Sequence, residues 1–322
     1  MINYLTDNNY LEMVSFIGIM AAFFLTCIFM AKCNNLLPKD AGRAFAHDGK
    51  LSAGKPRGAG FIFVLVFIFV SLVFGDMTRE NLIYIVLVAA AMMTGFLDDC
   101  AKTPWGEYKK GILDLIIAIM VAVTFLNFNP NDVYLASVNQ TITIPPVVFY
   151  ILTIILVWTS INVTNCSDGV DGLSGTLTII TLLTVYIISK LANADMGFGY
   201  ILLLFVTCLL GYLWFNATPS ILMMGDAGSR AMGLFIAIAV LKSGSPFMYL
   251  LVAIVLLLDG GLGLLKVALL RFLKIKILVN VRTPLHDHVR KVWNWSNTQA
   301  VYRFAIIQIV ISIAAVYLYI LQ

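Results

Sequence analysis

Ten long runs of apolar residues constrain what this chain of 322 residues can fold into more than any other feature of its sequence. A helix that spans a bilayer needs about 20 consecutive, mostly apolar residues. Only 12% of the residues are charged, about half the share that is usual in a soluble domain. The sequence therefore predicts an all-α integral membrane protein of about ten transmembrane helices, in a single polytopic domain over residues 1–322. The runs lie at about 11–31, 58–75, 81–97, 111–128, 145–161, 173–191, 198–215, 230–241, 246–270 and 300–320.

The basic residues are distributed unevenly between the segments that connect these runs. If the N-terminus lies outside the cell, all but three of the 21 lysines and arginines fall on inner segments. The positive-inside rule then predicts that both termini face outward and that the basic loops face the cytoplasm. The same orientation puts the richest acidic motifs on the cytoplasmic face, which is the predicted location of a functional site. The three exceptions are Arg79, Lys190 and Lys242.

The segment 162–175, which reads NVTNCSDGVDGLSG, is rich in polar residues although it separates two apolar runs. It contains the carboxylates Asp168 and Asp171 and the carboxamides Asn162 and Asn165. Side-chain oxygens at this density suit a hard cation, or the hydroxyl groups of a sugar or a base. Glycine also lets the backbone approach a ligand closely. The alternative interpretation is a turn in which Asn and Asp cap the next helix.

Two adjacent carboxylates, Asp98 and Asp99, end the third apolar run. They oppose the helix dipole and repel each other, so a cation or a hydrogen-bond donor is expected beside them. Neighbouring side chains on a helix point in different directions, which allows one to act as a base and the other to orient a lysine or a metal. Lys102 and Lys110 follow. Their ammonium groups suit a phosphate, although lysines at a membrane boundary also attract anionic lipid headgroups.

Two further motifs carry candidate ligands. Asp226 lies between glycines in MGDAGS at 224–229, where an aspartate serves either as a metal ligand or as a helix cap. His286 and His288 belong to PLHDH at 284–288, in a basic loop. The basic surroundings favour anion or phosphate binding by these histidines over a zinc site, since no cysteine is near.

Three other features leave two interpretations open. The basic, glycine-rich segment 43–60 suits either a phosphate site or a surface attracted to anionic lipid. Asp114 and Asp259 lie within apolar runs, where an acid is either functional or hydrogen-bonded between helices. The long ninth run is interrupted near Asp259 and the glycines at 260–261, which predicts either a kink or an extension beyond the bilayer.

Four motifs occur in order along the chain: DDxxK at 98–102, NxxNxxDGxDGL at 162–173, MGDxGS at 224–229 and PLHxH at 284–288. Together they resemble the bacterial phospho-N-acetylmuramoyl-pentapeptide transferase family, within the polyprenyl-phosphate N-acetylhexosamine-1-phosphate transferase superfamily. The resemblance covers nearly the whole chain. It implies a Mg2+-dependent enzyme of the bacterial cytoplasmic membrane, with its active site facing the cytoplasm. The implied reaction transfers phospho-N-acetylmuramoyl-pentapeptide from UDP-MurNAc-pentapeptide to undecaprenyl phosphate, giving lipid I and UMP for peptidoglycan synthesis.

The resemblance also implies roles for individual residues. Asp98, Asp99 and Asp226 resemble the catalytic aspartates of the family, and Asp226 resembles its magnesium ligand. Our hypothesis is that Asp98 acts as a base and activates the lipid phosphate for direct attack, and a covalent phospho-enzyme is the alternative. The residues that are expected to bind the nucleotide and the rest of the substrate are Lys102, Lys110, Asn162, Asn165, Asp168, Asp171, Met223, His286 and His288.

The chain departs from the family pattern in several places. Asp287 replaces the middle histidine of a His-His-His run, and Met223 stands where an aromatic residue is expected to stack on uracil. GKPRGAG at 54–60 replaces GTPTMGG, and Ser52 replaces the lysine just before it. These differences concern recognition of the sugar and the base more than the type of reaction.

The expected partners are UDP-MurNAc-pentapeptide, undecaprenyl phosphate and the lipid bilayer, with no nucleic acid. The sequence leaves open whether the chain acts alone or as a homodimer. A transferase that uses UDP-N-acetylglucosamine is the alternative within the same class of enzyme. A cation-coupled transporter is the alternative from another class, and it would place acids near the bilayer midplane on broken helices.

Overall fold

The computed structural model describes residues 11–40, 42 and 52–321, and each of the ten apolar runs lies in helical structure. The ninth run forms two helices that meet at a bend of 69°. One further short helix precedes the last one. In chain order the helices are α1 (Leu11–Cys33), α2 (Gly60–Phe74), α3 (Arg79–Asp99), α4 (Glu107–Phe128), α5 (Pro146–Cys166), α6 (Leu173–Leu191), α7 (Met196–Asn216), α8 (Gly225–Lys242), α9 (Pro246–Val252), α10 (Ile254–Leu273), α11 (Leu285–Lys291) and α12 (Asn297–Ile320).

Seven helices within the described residues are long and apolar enough to cross a membrane, or up to eight if the bent pair is one span. The chain is therefore an all-α, multi-pass membrane protein. Helix α2 has only 15 residues, and α8 carries Asp226, Arg230 and Lys242, so neither has both the length and the composition of an ordinary span. The count of about ten spans stays a prediction.

The connection between α4 and α5 contains the two β-strands found in the described part of the chain. Strand β1 (Asp132–Leu135) pairs antiparallel with β2 (Gln140–Thr143). Branched and aromatic residues such as those of DVYL and QTIT favour extended backbone. The hairpin is anchored to the helices because the N–H of Tyr134 donates to the carbonyl of Gly244, 2.9 Å away.

Helix α8 lies at the centre of the bundle and is buried from Gly225 to Leu241. Small residues allow other helices to approach it closely, as is common for helices in membranes. A Cβ atom at Gly233 would overlap the backbone of Ser160 and Ile161 on α5. At the same position the hydroxyl of Ser160 donates to the carbonyl of Gly233, 2.6 Å away.

Aromatic rings join α8 to α2 and α7 in the apolar core. The ring centroids of Phe67 and Phe205 are 4.8 Å apart with an edge-on geometry, and those of Phe205 and Phe235 are 4.2 Å apart and stacked. Offset and edge-on contacts of this kind stabilise beyond the apolar area that they bury. This core fixes the direction in which α8 presents its first residues.

The bend between α9 and α10 occurs at Ala253 and not at Gly260 and Gly261, where the sequence predicted it. Around these glycines the backbone instead widens to a π-helical turn over Leu257–Gly261. The side chain of Gln308 on α12 satisfies the backbone groups that the bend leaves unpaired. It accepts the N–H of Val255 at 3.0 Å and donates to the carbonyl of Val252 at 2.9 Å. A break in a helix at membrane depth requires such partners. They come from a helix that is distant in sequence.

A polar cluster surrounds the C-terminus of α8, at the opposite end from Asp226. The ammonium of Lys242 lies 2.9 Å from the carboxylate of Glu80, 3.4 Å from that of Asp195 and 3.2 Å from the side-chain amide oxygen of Asn129. Lys242 and Glu80 are almost fully buried. The cluster ties the ends of α3, α4 and α7 to α8.

We expect Lys242→Met to lower the stability of the bundle, because it leaves the buried carboxylate of Glu80 without its cation. The loss of one partner from a buried ion pair costs about 3–5 kcal/mol. Thermal unfolding of the purified protein in detergent measures the effect. The exposed Lys190 provides the matched control as Lys190→Met, and equal melting temperatures for the two variants would contradict the prediction.

Candidate active site at the start of helix α8

Three of the predicted aspartates meet where α3 ends and α8 begins. The ammonium of Lys110, in the first turn of α4, forms ion pairs with both Asp98 and Asp226, and its distance from Asp226 is 2.8 Å. The two carboxylates come from positions more than 100 residues apart in the sequence. Lys110 therefore connects the DDxxK motif with the MGDxGS motif.

Asp99 faces different partners from its neighbour. Its two carboxylate oxygens accept the backbone N–H groups of Asp226 and Ala227, each at 3.1 Å. Because the N-terminus of a helix carries a partial positive charge, this carboxylate stabilises the first turn of α8. Its side chain is completely buried. Asp99 thus fixes α8 against α3.

Asp98 is held in the turn that leads from α3 to α4. Its carboxylate accepts the N–H of Trp105 at 2.6 Å and pairs with Lys110. The two adjacent aspartates therefore have separate surroundings, one with backbone donors of α8 and the other with the lysine of α4. This agrees with the divergence of neighbouring side chains on a helix.

Arg57 completes the cluster, and sequence reasoning did not identify it as a site residue. Its Nε lies 2.9 Å from Asp99, one Nη lies 3.4 Å from Asp226 and the other 3.6 Å from Asp40. The only signal in the sequence was its place in the basic, glycine-rich segment 43–60, of which 43–51 lie outside the described residues.

The charge of Arg57 is set by its surroundings. Burial alone would lower the pKa of its guanidinium, but the carboxylates of Asp99, Asp226, Asp40 and Asp168 outweigh burial and raise the pKa. The group therefore stays a cation at any physiological pH. Arg57 and Lys110 both pair with Asp226, and together they supply the positive charge of the cluster.

Met223 lies beside the same loop. Its backbone N–H donates to Pro56 at 2.8 Å, and its carbonyl accepts the N–H of Ala59 at 3.0 Å. These bonds align the chain on either side of Arg57 with the residues that precede α8. They place Met223 next to the loop that carries Arg57, and the contact with the base that the family resemblance implies for this position stays a prediction.

The polar segment 162–175 is only partly a loop, because α5 continues to Cys166. Asn165 therefore lies on a helix, where it donates to the hydroxyl of Ser229 on α8 at 2.8 Å. Asn162, one helical turn earlier, donates to Asp114 at 3.3 Å. The carboxamides therefore link α5 to α4 and α8. The sequence alone left open whether this segment binds a ligand or forms a turn that caps the next helix.

The carboxylates of the same segment lie in the short turn before α6. Asp168 accepts the hydroxyl of Ser174 at 2.7 Å. Asp171 accepts the N–H of Ser220 at 3.4 Å and lies 3.9 Å from the ammonium of Lys55. Asp168 acts electrostatically on Arg57, so this turn borders the acidic cluster.

A buried ion pair lies next to the cluster, one helical turn further along α4 and α8. Arg230 on α8 pairs with Asp114 on α4, and its guanidinium also donates to the carbonyl of Lys110 at 3.2 Å. Both side chains are almost completely buried. Of the two interpretations that the sequence left for Asp114, the structure shows the hydrogen-bonded one.

His286 and Asp259 form a second pair. The backbone N–H of His286 donates to Asp259 at 2.7 Å, and its Nδ1 lies 2.8 Å from the same carboxylate. The other edge of the ring lies against Gly169, where a Cβ atom would overlap it. A carboxylate that holds one ring nitrogen directs the other nitrogen, here toward the turn that contains Asp168.

The other two residues of the motif face elsewhere. Asp287 pairs with Arg290 at 2.8 Å and Lys291 at 3.2 Å on its own short helix. Burial would raise the pKa of Asp287, but the positive charges of its neighbours outweigh burial and lower it. The Nδ1 of His288 accepts the N–H of Arg282 at 3.3 Å. The substitution of the middle histidine thus replaces an imidazole with a carboxylate that stabilises the helix.

Lys102 is exposed and forms no ion pair with any other residue that the structure describes. The lysine that contacts the aspartates is Lys110, which the helical start of α4 turns back toward α3. Sequence proximity favoured Lys102, but the turn at 100–106 carries it away from the carboxylates.

The carboxylates of the cluster are candidate ligands for a magnesium ion. Within the described residues no three His, Cys, Asp or Glu side chains converge as a ready-made metal site. Mg2+ is commonly held by only one or two carboxylates, with water and substrate phosphates as its other ligands. Asp226 fits that pattern, because its side chain is the most exposed of the three aspartates at 11%. The carboxylate oxygens present therefore suit Mg2+ bound together with a phosphorylated substrate.

Carboxylates and basic groups converge at one end of a bundle of membrane-spanning helices, an arrangement of charges that suits a phosphate-containing ligand. A family model described as "Glycosyl transferase family 4" matches residues 81–244. A phospho-N-acetylmuramoyl-pentapeptide-transferase of Treponema pallidum is 41% identical over 91% of this chain and 85% of its own. Transferases of the same name from Symbiobacterium thermophilum and Dictyoglomus turgidum are 28% and 25% identical over 80% and 96% of this chain, and over 79% and 99% of their own.

The chain therefore belongs to glycosyl transferase family 4 and, within it, to the family of the phospho-N-acetylmuramoyl-pentapeptide transferases. Its family membership was predicted from the four ordered motifs and is confirmed.

We expect Gly95→Ala to displace the start of α8. A Cβ atom at Gly95 would overlap the backbone of Asp226 and Ala227, and overpacking of this kind costs about 1–3 kcal/mol. The matched control is Gly111→Ala on α4, where the nearest side-chain atom lies 4.0 Å from the added Cβ. Thermal unfolding of both variants tests the prediction, and a melting temperature of Gly95→Ala at or above that of Gly111→Ala would contradict it.

Proposed function

We propose that the protein transfers phospho-N-acetylmuramoyl-pentapeptide from UDP-MurNAc-pentapeptide to undecaprenyl phosphate, releasing UMP and forming lipid I for peptidoglycan synthesis. The observation that carries the proposal is the convergence of Asp98, Asp99 and Asp226 around Lys110 and Arg57, in a chain that is 41% identical to a transferase of that name.

The reaction takes place at the cytoplasmic face of the bacterial inner membrane, in a single polytopic domain with about ten spans and both termini outside. A lipid phosphate reaches the site from the bilayer and a nucleotide from the cytosol, so the site has to lie at their boundary. The distribution of basic residues supports this orientation. Lys242, one of the three basic residues predicted to lie outside, is at the end of α8 opposite Asp226.

The lipid phosphate attacks the phosphorus that carries the sugar. A new bond forms between an oxygen of the lipid phosphate and that phosphorus. The bond from the phosphorus to the bridging oxygen breaks, and UMP leaves with this oxygen and its electron pair. Asp98 accepts the proton of the lipid phosphate, which raises the nucleophilicity of its oxygen. Both aspartates are hydrogen-bonded, but one oxygen of Asp98 pairs with the side chain of Lys110, whereas both oxygens of Asp99 are held by the backbone of α8. Asp98 suits the role of base better, because a lysine side chain can move to a bound phosphate and free that oxygen.

Lys110 lies between Asp98 and Asp226. Its ammonium is positioned to offset negative charge on the phosphates as it shifts toward the leaving group. Asp226 would hold Mg2+ when the nucleotide binds, and the ion would supply electrostatic stabilisation of the diphosphate. Further polar side chains border this region, and their proposed role is to hold the nucleotide and the sugar. They are Asn162, Asn165, Asp168, Asp171 and His286.

Reconstitution tests the reaction. The purified protein, in vesicles that contain undecaprenyl phosphate and Mg2+, is expected to release UMP from UDP-MurNAc-pentapeptide and not from UDP-N-acetylglucosamine. EDTA is expected to stop the release, because carboxylates alone do not neutralise a diphosphate. Turnover of UDP-N-acetylglucosamine alone would reject the muramoyl substrate. Uphill uptake of a solute without UMP release would support a transporter instead.

We expect Asp98→Asn to lower kcat by about 10²–10⁴-fold, as is usual when a general base is lost. The amide keeps an oxygen that can accept the N–H of Trp105 but does not take up a proton. The matched control is Asp132→Asn on the exposed hairpin, which should retain the turnover of the unmodified protein. Full activity of Asp98→Asn would exclude the base, and rapid-quench trapping of a sugar phosphate bound to the enzyme would exclude direct attack.

A further inference from the structure

Arg57 holds the acidic cluster by contacts of unequal quality. Its Nε is 2.9 Å from Asp99, whereas its two terminal nitrogens are 3.4 Å from Asp226 and 3.6 Å from Asp40. Charge-assisted hydrogen bonds are normally about 2.7–2.9 Å long. The guanidinium is therefore anchored at one nitrogen, and its two terminal groups, which carry four of its five N–H donors, are held only loosely.

The burial of these groups shows which of them faces the open side of the cluster. The side chains of Asp99 and Asp40 are 0% and 2% exposed, whereas that of Arg57 is 19% exposed. Lys110 is 27% exposed and Asp226 is 11% exposed. A ligand that approaches the cluster consequently meets the two cations and Asp226 before it meets the other carboxylates.

The backbone beneath Arg57 is fixed at several points. The N–H of Arg57 donates to Pro38 at 2.8 Å, and the residues on either side of it pair with Met223. Gly58 has a φ of +86°, a conformation that glycine adopts without strain. Gly60 lies so close to α8 that a Cβ atom would overlap Gly228. Arg57 thus projects from a rigid loop that is packed on the first turn of α8.

We infer that Arg57 is a substrate-binding residue of this enzyme and that its terminal nitrogens bind the diphosphate of the nucleotide substrate. A guanidinium matches two oxygens of a phosphate at once. The loose contacts to Asp226 and Asp40 are the ones that the guanidinium exchanges for phosphate oxygens, while the short contact to Asp99 keeps its orientation. The inference rests on the proposed function, since it assigns one residue to the diphosphate of that substrate.

Binding measurements on the full-length protein in detergent test the inference. UDP-MurNAc-pentapeptide is titrated directly, and uridine is measured by competition against it. Arg57→Gln is expected to weaken binding of the UDP-sugar by about 10–100-fold, the effect of one or two charge-assisted hydrogen bonds, and to change uridine binding by about twofold or less. Arg57→Lys should fall between, because lysine keeps the charge and loses the paired donors.

The variant Asp40→Asn distinguishes a role of Arg57 in phosphate binding from a role that only holds the loop in place. Asp40 contacts Arg57 on the side away from Asp226 and accepts bonds from Ser52 and Gly42. If Arg57 only clamps the loop, Asp40→Asn and Arg57→Gln will lower the melting temperature alike and weaken both ligands equally. Lys276→Gln, at an exposed lysine, controls for the loss of one positive charge and should leave the ratio of the two affinities unchanged.

The outcomes distinguish the two proposals. An unmodified protein that binds and turns over UDP-MurNAc-pentapeptide, with unaltered affinity in Arg57→Gln, overturns the role of Arg57 and leaves the proposed function standing. Equal weakening of uridine and UDP-sugar likewise overturns the role of Arg57. An unmodified protein that binds neither ligand overturns the proposed function and, with it, this inference.

Discussion

The contact between Asp99 and the first turn of α8 is the interaction on which the site depends. A carboxylate that accepts two N–H groups at a helix N-terminus is stabilised by the helix dipole, and here it also meets the guanidinium of Arg57. This contact joins the end of α3, the start of α8 and the loop before α2. It is one of the contacts that set the position of Asp226 relative to Asp98, so that Lys110 reaches both carboxylates.

The packing of α8 explains how so many charges persist at the edge of an apolar bundle. The helix is buried along almost its whole length and has ionic clusters at its two ends, with Asp226 at one and Lys242 at the other. Its second turn carries Arg230, which is paired with Asp114. Buried charges are tolerated only when they are paired. Each of these charges takes its partners from outside α8, so the bundle and the site are assembled together.

The convergence of unlike residues at one end of α8 also gives the site its chemical character. The structure places Lys110 and Arg57 between carboxylates. In the proposed reaction these cations offset the charge of the diphosphate, and the carboxylates are the partners to which they return when the phosphates leave. The pair of His286 and Asp259 then directs an imidazole toward the turn that contains Asp168, and so extends the polar region beyond the aspartates.

The amino-acid sequence is sufficient to predict the helices, because about 20 apolar residues in a row have no other way to satisfy their backbone in a membrane. It also determined the family, because four acidic or histidine motifs occur in a fixed order. Which cations pair with the aspartates of these motifs depends on how the helices pack. Arg57 lies in a loop whose backbone bonds to Met223, and no local pattern reports a contact across more than 160 residues. The same cause explains why Lys110 and not Lys102 pairs with the aspartates, and why the bend lies at Ala253 with Gln308 as its partner. Hydrogen bonds and ion pairs between distant segments form only after the helices have packed.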